Sequence, residues 1–319
     1  MSKVLVTGGG GFIGTIMLNK LLEKNFEVKA FDLGIQFEEE NPPPEGAEVY
    51  KGSILDKNDL MKAIKGCDYV IHLAAALGVK RTEEERLATL NINIQGTVNV
   101  LEACVQDNIK KIVFSSSSEV YGEQTKLPIY EDNPLNPKSI YAVTKLAGEE
   151  YLRAFNQRYG LNYSVIRFFN VYGPGQVAEF VMPKFIYMVR NDIPPKIYGK
   201  GNQTRAFCYV EDAVEGMYLS LTNDKANSDV FNIGNDTEPI TMEGLAKRII
   251  KISGKDIEPE YIPLEKSDRT EKREIVKRIP DISKARKVLG YEPKISLDEG
   301  IKRTLNQASI KKTWALPTK

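Results

Sequence analysis

The stretch VLVTGGGGFIG, Val4 to Gly14, joins an apolar run to four consecutive glycines. The run predicts a buried strand, and FIG begins the helical pattern Phe12–Lys24. Glycines between a strand and a helix allow a tight turn, and they let backbone N–H groups approach a pyrophosphate at the helix N-terminus. Gly8, Gly11 and Gly14 are spaced as GxxGxxG, and the glycine run also satisfies GxGxxG. The stretch therefore predicts a dinucleotide-binding strand–turn–helix unit.

An acidic residue ends the next predicted strand, since Asp32 lies 18 residues after Gly14. A carboxylate there accepts hydrogen bonds from both ribose hydroxyls but repels a 2′-phosphate. Leu33 and Gly34 follow it, without an arginine or lysine that would reverse the preference. The sequence therefore predicts NAD rather than NADP as the cofactor.

Short apolar runs alternate with helical patterns through the first half of the chain. The predicted strands are Val4–Val6, Val28–Phe31, Tyr69–Leu73, Ile112–Phe114 and Tyr163–Ile166. The predicted helices are Phe12–Lys24, Lys57–Lys65, Glu83–Asp107 and Ile140–Tyr159. Repeated βα units of this length indicate a parallel sheet with helices on both faces. We therefore expect an α/β fold with a doubly wound parallel sheet.

The pattern changes in the later part, where prolines accumulate and the alternation fades. Helical patterns return at Thr241–Ser253, Ser283–Leu289 and Leu297–Gln307. We interpret this part as a smaller, irregular lobe that closes over the end of the sheet. Residues 1–170 are expected to form the dinucleotide-binding domain and residues 171–319 mostly the second lobe, with a segment at roughly 204–236 returning to the first.

Composition excludes several classes of protein. Lys+Arg 44 nearly balance Asp+Glu 43, so no general field attracts nucleic acid or an anionic membrane. The longest nearly apolar run, Tyr69–Val79, is shorter than the ~20 residues that span a bilayer, and the start lacks a long signal-like apolar segment. Three cysteines, far apart and in no CxxC pair, argue against a disulfide framework and favour a reducing cytoplasm.

His72 is the single histidine. A metal site with several histidines is therefore excluded, and a Ser–His–Asp triad could form only there. We expect no metal. Proton chemistry consequently falls to tyrosine, lysine, serine or carboxylate groups.

Hydroxyl groups cluster after the predicted strand KIVF, in SSSSEVYG (Ser115–Gly122). Downstream, SIYAVTKLAGEE places Tyr141 and Lys145 at positions i and i+4, on one face of a helix. A free tyrosine has a pKa of about 10, and a nearby ammonium favours its phenolate. Serine clusters are common in loops, and tyrosine–lysine pairs at this spacing are common on helix surfaces, so either feature alone is weak evidence of a catalytic site. Together with the dinucleotide-binding unit, they predict a catalytic site.

The order of motifs resembles the extended short-chain dehydrogenase/reductase family, specifically its nucleotide-sugar epimerases, dehydratases and decarboxylases. The matching stretches are TGGGGFIG (Thr7–Gly14), HLAA (His72–Ala75), SSSSEVYG, YAVTK, RFFNVYGPG (Arg167–Gly175), QTRAFCYVED (Gln203–Asp212) and PDISKARKVLGYEP (Pro280–Pro293). The resemblance covers almost the whole chain. It implies a Rossmann-type sheet with a smaller, irregular C-terminal substrate lobe that binds a nucleotide sugar.

The resemblance implies roles for particular side chains. Tyr141 would be the catalytic base, and Lys145 would hold the nicotinamide ribose and lower the tyrosine pKa. Ser117 would bond to the reacting sugar oxygen, and Arg205 would reach the diphosphate or a sugar carboxylate. The implied catalytic set is Ser117, Glu119, Tyr141 and Lys145. The implied substrate-binding set is Ser117, Ser118, Glu119, Tyr141, Asn170, Arg205 and Arg273.

The cofactor set joins the residues of the glycine turn to residues that the resemblance implies. It consists of Gly8, Gly11, Phe12, Ile13, Gly14, Asp32, Ser53, Ile54, Leu73, Ala74, Ala75, Ser115, Tyr141, Lys145 and Phe169. His72 would pack beside the cofactor. Ser53 stands where many relatives have an acidic residue, so the adenine contact stays open, and Asp56 is a candidate for a nearby role. The role of Ser116 stays open, as does the choice between Arg273 and Arg278 for a second diphosphate-binding arginine.

The candidate reactions share a first step, in which phenolate Tyr141 takes the C4 hydroxyl proton while hydride leaves C4 for NAD. We expect a 4-epimerase similar to UDP-glucose 4-epimerase. A hexuronate decarboxylase comes second, given Ser118, Glu119 and Arg205. A 4,6-dehydratase comes third, because Ser118 replaces the aspartate of its acid–base pair. A non-catalytic nucleotide-sugar-binding protein is disfavoured by the complete set of reacting groups. The resemblance also implies a homodimer packed through helices that include Glu83–Asp107 and Ile140–Tyr159.

Overall fold

The computed structural model describes residues 1–37, 42–263, 275–307 and 310. The strands are β1 (Lys3–Thr7), β2 (Glu27–Asp32), β3 (Ala47–Lys51), β4 (Tyr69–His72), β5 (Lys111–Ser117), β6 (Asn162–Phe168), β7 (Val171–Tyr172), β8 (Lys196–Tyr198), β9 (Thr204–Arg205), β10 (Cys208–Tyr209), β11 (Asp229–Ile233), β12 (Ile240–Thr241), β13 (Glu260–Ile262) and β14 (Lys277–Arg278). The helices are α1 (Phe12–Glu23), α2 (Lys57–Ile64), α3 (Val79–Glu84), α4 (Arg86–Leu90), α5 (Gly96–Gln106), α6 (Ile140–Tyr159), α7 (Val181–Arg190), α8 (Val210–Thr222), α9 (Met242–Ser253), α10 (Ser283–Leu289) and α11 (Leu297–Leu305).

A parallel sheet of seven strands forms the centre, in the order β11-β6-β5-β4-β1-β2-β3. The chain builds outward from β1 in one direction through β2 and β3, and in the other through β4, β5 and β6. Ligands of such sheets bind beyond the carboxyl ends of the strands at the point where the direction reverses, which here lies between β1 and β4. The predicted doubly wound, Rossmann-type sheet is confirmed.

Two strands of this sheet were not among the predicted ones. β3 is an edge strand whose residues are mostly exposed, so it lacks the apolar run of a buried strand. β11 pairs with β6 although Asp229 lies 61 positions after Phe168. Its position depends on a long-range pairing that local periodicity does not encode. The division of the chain into domains stays a prediction.

The helix predicted over Glu83–Asp107 is helical over most of its length, but it is not one regular α-helix. The chain there forms α3, α4, a π-helical turn at Asn91–Gln95 and then α5. The side chain of Asn93 accepts a hydrogen bond from the Ala76 amide at 2.7 Å and donates to the Ala76 carbonyl at 3.0 Å. These contacts to the segment after β4 hold the widened turn, so a tertiary interaction overrides the helical period.

Adjacent residues of β1 supply the two faces of the sheet with core residues. Val4 and Val6 belong to a core that contains α1 and α8, whereas Leu5 belongs to one that contains α2, α5 and α6. The first core continues into the C-terminal lobe, where it includes Leu245 of α9 and Ile301 of α11. The lobe therefore shares its apolar core with one face of the sheet.

The strands of the C-terminal lobe form small sheets of two or three strands. β8 pairs with β13, β7 with β10, and β9 with both β12 and β14. The β9–β14 pairing places Arg205 opposite Arg278. Within the described part of the chain, every helix is too short or too polar to cross a membrane.

Candidate active site

The glycine turn between β1 and α1 is packed so closely that side chains would not fit. Gly8 has φ +75°, and a Cβ there would lie 2.7 Å from the Ala74 nitrogen. A Cβ at Gly14 would overlap the Gly8 carbonyl oxygen. Gly11 donates its amide to that oxygen at 3.1 Å and forms the N-cap of α1, so Phe12 and Ile13 make the first helical turn. The turn thus leaves a bare backbone beside the N-terminus of a helix, where N–H groups lack helical acceptors and attract phosphate.

Asp32 ends β2 beside this turn. Its carboxylate accepts hydrogen bonds from the Gly10 amide at 3.0 Å and the Leu33 amide at 2.8 Å. Burial raises the pKa of Asp32 to about 6, although the two amides oppose this rise. The carboxylate is therefore held at the edge of the glycine turn, at the place where a dinucleotide ribose is expected. The glycine cradle and this carboxylate fit NAD.

The segment after β4 forms the opposite wall of the turn. The Leu73 amide donates to the Thr7 carbonyl at 3.0 Å, and the Ala74 amide lies 3.4 Å from Thr7 Oγ1. Ala75 continues this segment toward the contact between Ala76 and Asn93. The predicted residues Leu73, Ala74 and Ala75 therefore run along the turn at Gly8.

His72 is buried between two threonines. Its Nδ1 lies 2.7 Å from Thr7 Oγ1, and its Nε2 lies 3.0 Å from Thr97 Oγ1. Burial, together with the nearby Lys145 ammonium, lowers the pKa of His72 to about 3. The ring is neutral over the whole physiological range and fixes the strand ends around the site.

Ser53 and Ile54 follow β3 and lie at the start of the turn that leads to α2. Ser53 Oγ accepts from the Leu55 amide at 3.2 Å, and the Ile54 side chain packs against Gly96 of α5. Asp56 is the N-cap of α2, where it accepts from the Asn58 and Asp59 amides. The side chain of Asp56 is thereby engaged in capping.

Helix α6 brings Tyr141 and Lys145 to the end of β5. Lys145 Nζ lies 3.4 Å from Ser115 Oγ and 5.6 Å from the centre of the Tyr141 ring. Burial lowers the pKa of Lys145 to about 7. The helix begins after Ser139, whose hydroxyl accepts from the Ala142 amide at 3.1 Å, as is typical of an N-cap. Three predicted residues therefore lie together at one strand end.

The protonation of Tyr141 differs from the expectation. Burial raises the pKa of Tyr141 well above its ordinary value, and the Glu119 carboxylate raises it further. Arg278 is the nearby group that lowers it. Among the chain's own groups, burial thus outweighs the effect expected of the Lys145 ammonium, whose own charge is weakened by burial.

The serine cluster ends β5 and turns into a short 3-10 helix, Ser118–Tyr121. Ser117 Oγ accepts from the Glu119 amide at 3.2 Å, and the Ser118 residue is buried. Glu119 Oε2 accepts from Ser139 Oγ at 2.9 Å. The Glu119 carboxylate therefore links the turn after β5 to the start of α6, a contact that the sequence predictions missed. The N-cap pattern SIYA was the available signal.

Asn170 and Arg278 complete the other side of the cleft. Asn170 follows β6 with φ +41°, and its Oδ1 accepts from Arg278 Nη2 at 2.7 Å. Arg278 Nη1 lies 3.7 Å from Glu119 Oε1. Phe169 is fully buried, with its ring centre 6.1 Å from that of Tyr121. Arg278 is thus the arginine that reaches Glu119 and Asn170.

Arg205 is oriented toward the backbone of the segment before β14. Its Nη2 donates to the Ile275 carbonyl at 2.6 Å, and its Nη1 to the Val276 carbonyl at 3.2 Å. In this arrangement the guanidinium anchors the strand that carries Arg278. The predicted Arg273 lies outside the described residues.

The comparisons with known proteins agree with this geometry. The sequence model of the "NAD dependent epimerase/dehydratase family" matches residues 4–234. The chain belongs to this family. The predicted family, the NAD cofactor and the class of enzyme, an NAD-dependent nucleotide-sugar epimerase, are confirmed.

Three similar proteins illustrate the range of the family. A "Putative UDP-glucose 4-epimerase" of Methanocaldococcus jannaschii is 37% identical, over 95% of this chain and 97% of the relative. A "UDP-N-acetyl-alpha-D-glucosaminuronate decarboxylase" of Bacillus cytotoxicus is 34% identical, over 95% and 96%. The crystal structure of UDP-glucose 4-epimerase with UDP-glucose from Thermotoga maritima has a TM-score of 0.88 and 35% identity, over 95% of this chain and 97% of that one.

Proposed function

We propose that the protein inverts C4 of a UDP-linked sugar through a 4-keto intermediate. The observation that carries this proposal is the placement of Tyr141 and Lys145 beside Ser115 at the carboxyl end of β5, the strand that Ser117 ends. Similar proteins from several organisms are named UDP-sugar 4-epimerases, including one that acts on UDP-glucuronate. NAD, when bound, supplies a reversible hydride acceptor.

Four side chains have defined tasks in this proposal. Tyr141 Oη takes the C4 hydroxyl proton and later returns it to the inverted oxygen. Ser117 Oγ donates a hydrogen bond to the same sugar oxygen, and Lys145 holds the nicotinamide ribose. The high pKa of Tyr141 must fall for this to happen, which requires positive charge near the phenol. Arg278 supplies one such charge.

A nucleotide-hexuronate decarboxylase is the second candidate, because Arg278 lies beside Glu119. A guanidinium held by a carboxylate and by Asn170 could exchange that partner for a sugar carboxylate. A 4,6-dehydratase is less favoured, because Ser118 replaces its acidic residue and a hydroxyl is a poor acid. A non-catalytic nucleotide-sugar-binding protein would keep the fold without turnover.

The deciding experiment is incubation with UDP-linked hexoses, N-acetylhexosamines and hexuronates, followed by NMR and mass spectrometry. An inverted C4 at unchanged mass is the expected result. Loss of CO₂ from a hexuronate would replace the proposal with the decarboxylase, and loss of water would replace it with the dehydratase. Absence of turnover with every sugar, despite NAD binding, would favour the non-catalytic reading.

We also propose a homodimer formed through the exposed faces of α4 and α6. Leu87 of α4 is 81% exposed, and Val143 and Tyr151 of α6 are 40% and 39% exposed. α4 packs against α6, so these apolar side chains lie on neighbouring helices. Light scattering should give twice the mass of the chain, and Leu87→Asp should shift it toward the monomer. A monomeric parent protein would refute the dimer.

We propose the cytoplasm as the location of this enzyme. Cys67, Cys104 and Cys208 are all free and buried. Free thiols are typical of proteins kept in a reducing compartment.

A further inference from the structure

Five buried polar side chains form a continuous hydrogen-bonded group at helix α6. These residues, here called the Glu149 cluster, are Ser116, Tyr121, Glu149, Arg167 and Asn232. Ser116 Oγ donates to Glu149 Oε1 at 2.5 Å, and Arg167 donates to both Glu149 oxygens at 3.0 and 2.6 Å. Arg167 Nη1 also donates to the Tyr121 hydroxyl at 2.9 Å, which donates to Asn232 Oδ1 at 2.6 Å. Each of these side chains is at most 2% exposed.

Each member of the Glu149 cluster comes from a different element of the fold. They lie on β5, the 3-10 turn, α6, β6 and β11 respectively. Three of these elements, β5, the 3-10 turn and α6, meet at the carboxyl side of the sheet, where the reacting groups lie. The cluster therefore joins the strand that ends in the serines to the helix that carries the tyrosine and lysine.

A buried ion pair is weak evidence for stability. Removing two charges from water costs several kcal/mol per ion, and apolar replacements of similar volume are often neutral or stabilising. Glu149 and Arg167 are 0% and 2% exposed, so they carry this cost in full. The Glu149–Arg167 pair is therefore a candidate for a role other than stabilising the fold.

The spacing along α6 indicates what that contribution is. Tyr141, Lys145 and Glu149 stand at i, i+4 and i+8, on one face of the helix. Lys145 contacts Ser115 at 3.4 Å, and Glu149 contacts the next residue, Ser116, at 2.5 Å. These two contacts fix the rotation and the axial position of α6 relative to β5. A shift of the Glu149 contact would displace Tyr141 from the sugar oxygen that Ser117 is expected to hold.

We propose that Glu149, held by Ser116 and Arg167, is a positioning residue that sets the distance between Tyr141 and the serines of β5. It touches neither substrate nor cofactor in this proposal. Its kinetic consequence rests on the proposed function, whereas its structural consequence does not.

Two variants separate positioning from a general loss of stability. Glu149→Gln keeps the size of the side chain but removes its charge, and Ser116→Ala removes one hydroxyl while leaving the Glu149–Arg167 pair intact. We expect kcat to fall by about 10- to 100-fold for Glu149→Gln, since a displacement of about 1 Å can cost 10²-fold. The fall for Ser116→Ala should be smaller. The KM for the sugar and the NAD affinity should stay within about threefold of the parent, because neither residue binds a ligand.

Lys111→Met is the matched control, at the opposite end of the same strand. Lys111 Nζ is buried and donates to the Ser220 and Asn223 carbonyls at 2.6 and 3.1 Å, far along β5 from the serines. Its substitution should lower the melting temperature and leave kcat unchanged. The double variant Glu149→Leu, Arg167→Met should regain stability, as apolar replacements of buried pairs often do, without regaining kcat.

Kinetic results that contradict the proposal are equally clear. Unchanged kcat in both Ser116→Ala and Glu149→Gln would overturn it. So would a loss of kcat in Lys111→Met as large as that in Glu149→Gln at the same loss of melting temperature.

A crystallographic measurement keeps the proposal separate from the proposed function. If the parent turns over none of the sugars, crystal structures of the parent and Glu149→Gln still report the distance from Tyr141 Oη to Ser117 Oγ. Lengthening of this distance by about 1 Å supports positioning. An unchanged distance overturns it, whatever the reaction is.

Discussion

The cofactor side and the substrate side of the cleft are built in different ways. The cofactor side uses the backbone of consecutive residues, Gly8 to Gly14, with a carboxylate from the adjacent strand. The substrate side uses side chains that are far apart in the sequence, since Arg278 lies 159 positions after Glu119. A backbone site depends on the absence of Cβ atoms, whereas a side-chain site depends on the identity of each residue.

This difference means that cofactor binding and sugar turnover should respond to separate sets of mutations. Adding a methyl group should damage the backbone site, while removing a polar atom should damage the side-chain site. A mutation that affects both sites equally would break the distinction.

The largest effect is expected from Tyr141→Phe, which removes one oxygen from the substrate side. Turnover should fall by about 10²- to 10⁴-fold, the usual contribution of a general base, with NAD still bound. Turnover is measured by NMR and NAD binding by calorimetry. Tyr159→Phe is the matched control, because Tyr159 ends the same helix and is 57% exposed. Near-normal turnover in Tyr141→Phe would contradict the mechanism.

Gly8→Ala tests the backbone site with a single methyl group. The added Cβ would lie 2.7 Å from the Ala74 nitrogen, so the turn must shift, and we expect NAD binding to weaken by about 10- to 100-fold, equivalent to about 1–3 kcal/mol. Gly254→Ala is the control, because Gly254 has φ +69° but no atom within 4 Å of the added Cβ. Both variants should lose stability because of the positive φ, and Gly8→Ala should lose more because its Cβ approaches the Ala74 nitrogen; calorimetry should show a loss of NAD affinity only in Gly8→Ala. Equal NAD affinity in the two variants would show that the turn does not contact the cofactor.

Arg278→Met tests the side-chain site without touching the glycine turn. As a candidate diphosphate-binding arginine, Arg278 should donate a charged hydrogen bond to the nucleotide sugar. Such a bond contributes about 1.5–3 kcal/mol, so we expect the KM for the nucleotide sugar to rise about tenfold. NAD affinity should be unchanged. Arg286→Met serves as the control, since Arg286 pairs with Asp236 and Glu292 instead of reaching Glu119. An unchanged KM in Arg278→Met would remove Arg278 from the substrate site.

The smallest effect concerns the pH dependence of cofactor choice. Burial raises the pKa of Asp32 to about 6, so its carboxyl group is neutral below that pH and charged above it. The neutral form does not repel a 2′-phosphate, so the preference for NAD over NADP should narrow by about fivefold between pH 8 and pH 5, for an interaction of ~1 kcal/mol. The dissociation constants of NAD and NADP, measured at pH 8 and at pH 5, give this preference. Asp32→Asn controls for titration of the phosphate itself, and a parent preference no more dependent on pH than that variant would refute the role of Asp32.

The parts of the fold that the sequence predicts well are those with local signals. β1, the glycine turn and α1 follow from one contiguous stretch, and Tyr141 and Lys145 follow from a single helical spacing. The edge strand β3 was missed because its exposed residues carry no apolar run. The π-helical turn before α5 was missed because it depends on hydrogen bonds between Asn93 and Ala76, a residue on another segment.

The candidate site divides in the same way. Local patterns place Asp32 at the glycine turn and Ser115 at the end of β5, but they do not reveal that Ser139 bonds to Glu119. The position of Arg278 depends on the pairing of β14 with β9, two short strands of two residues each. The raised pKa of Tyr141 depends on burial, which the spacing of Tyr141 and Lys145 does not encode.

The apolar core that runs from Val4 and Val6 through α1 and α8 into α9 and α11 has a thermodynamic consequence. Because the C-terminal lobe buries its apolar residues in the same core as the sheet, neither part can expose its interior without opening the other. Heating should therefore unfold both parts in one calorimetric transition. Denaturant titrations followed at the lobe and at the sheet should likewise have coincident midpoints.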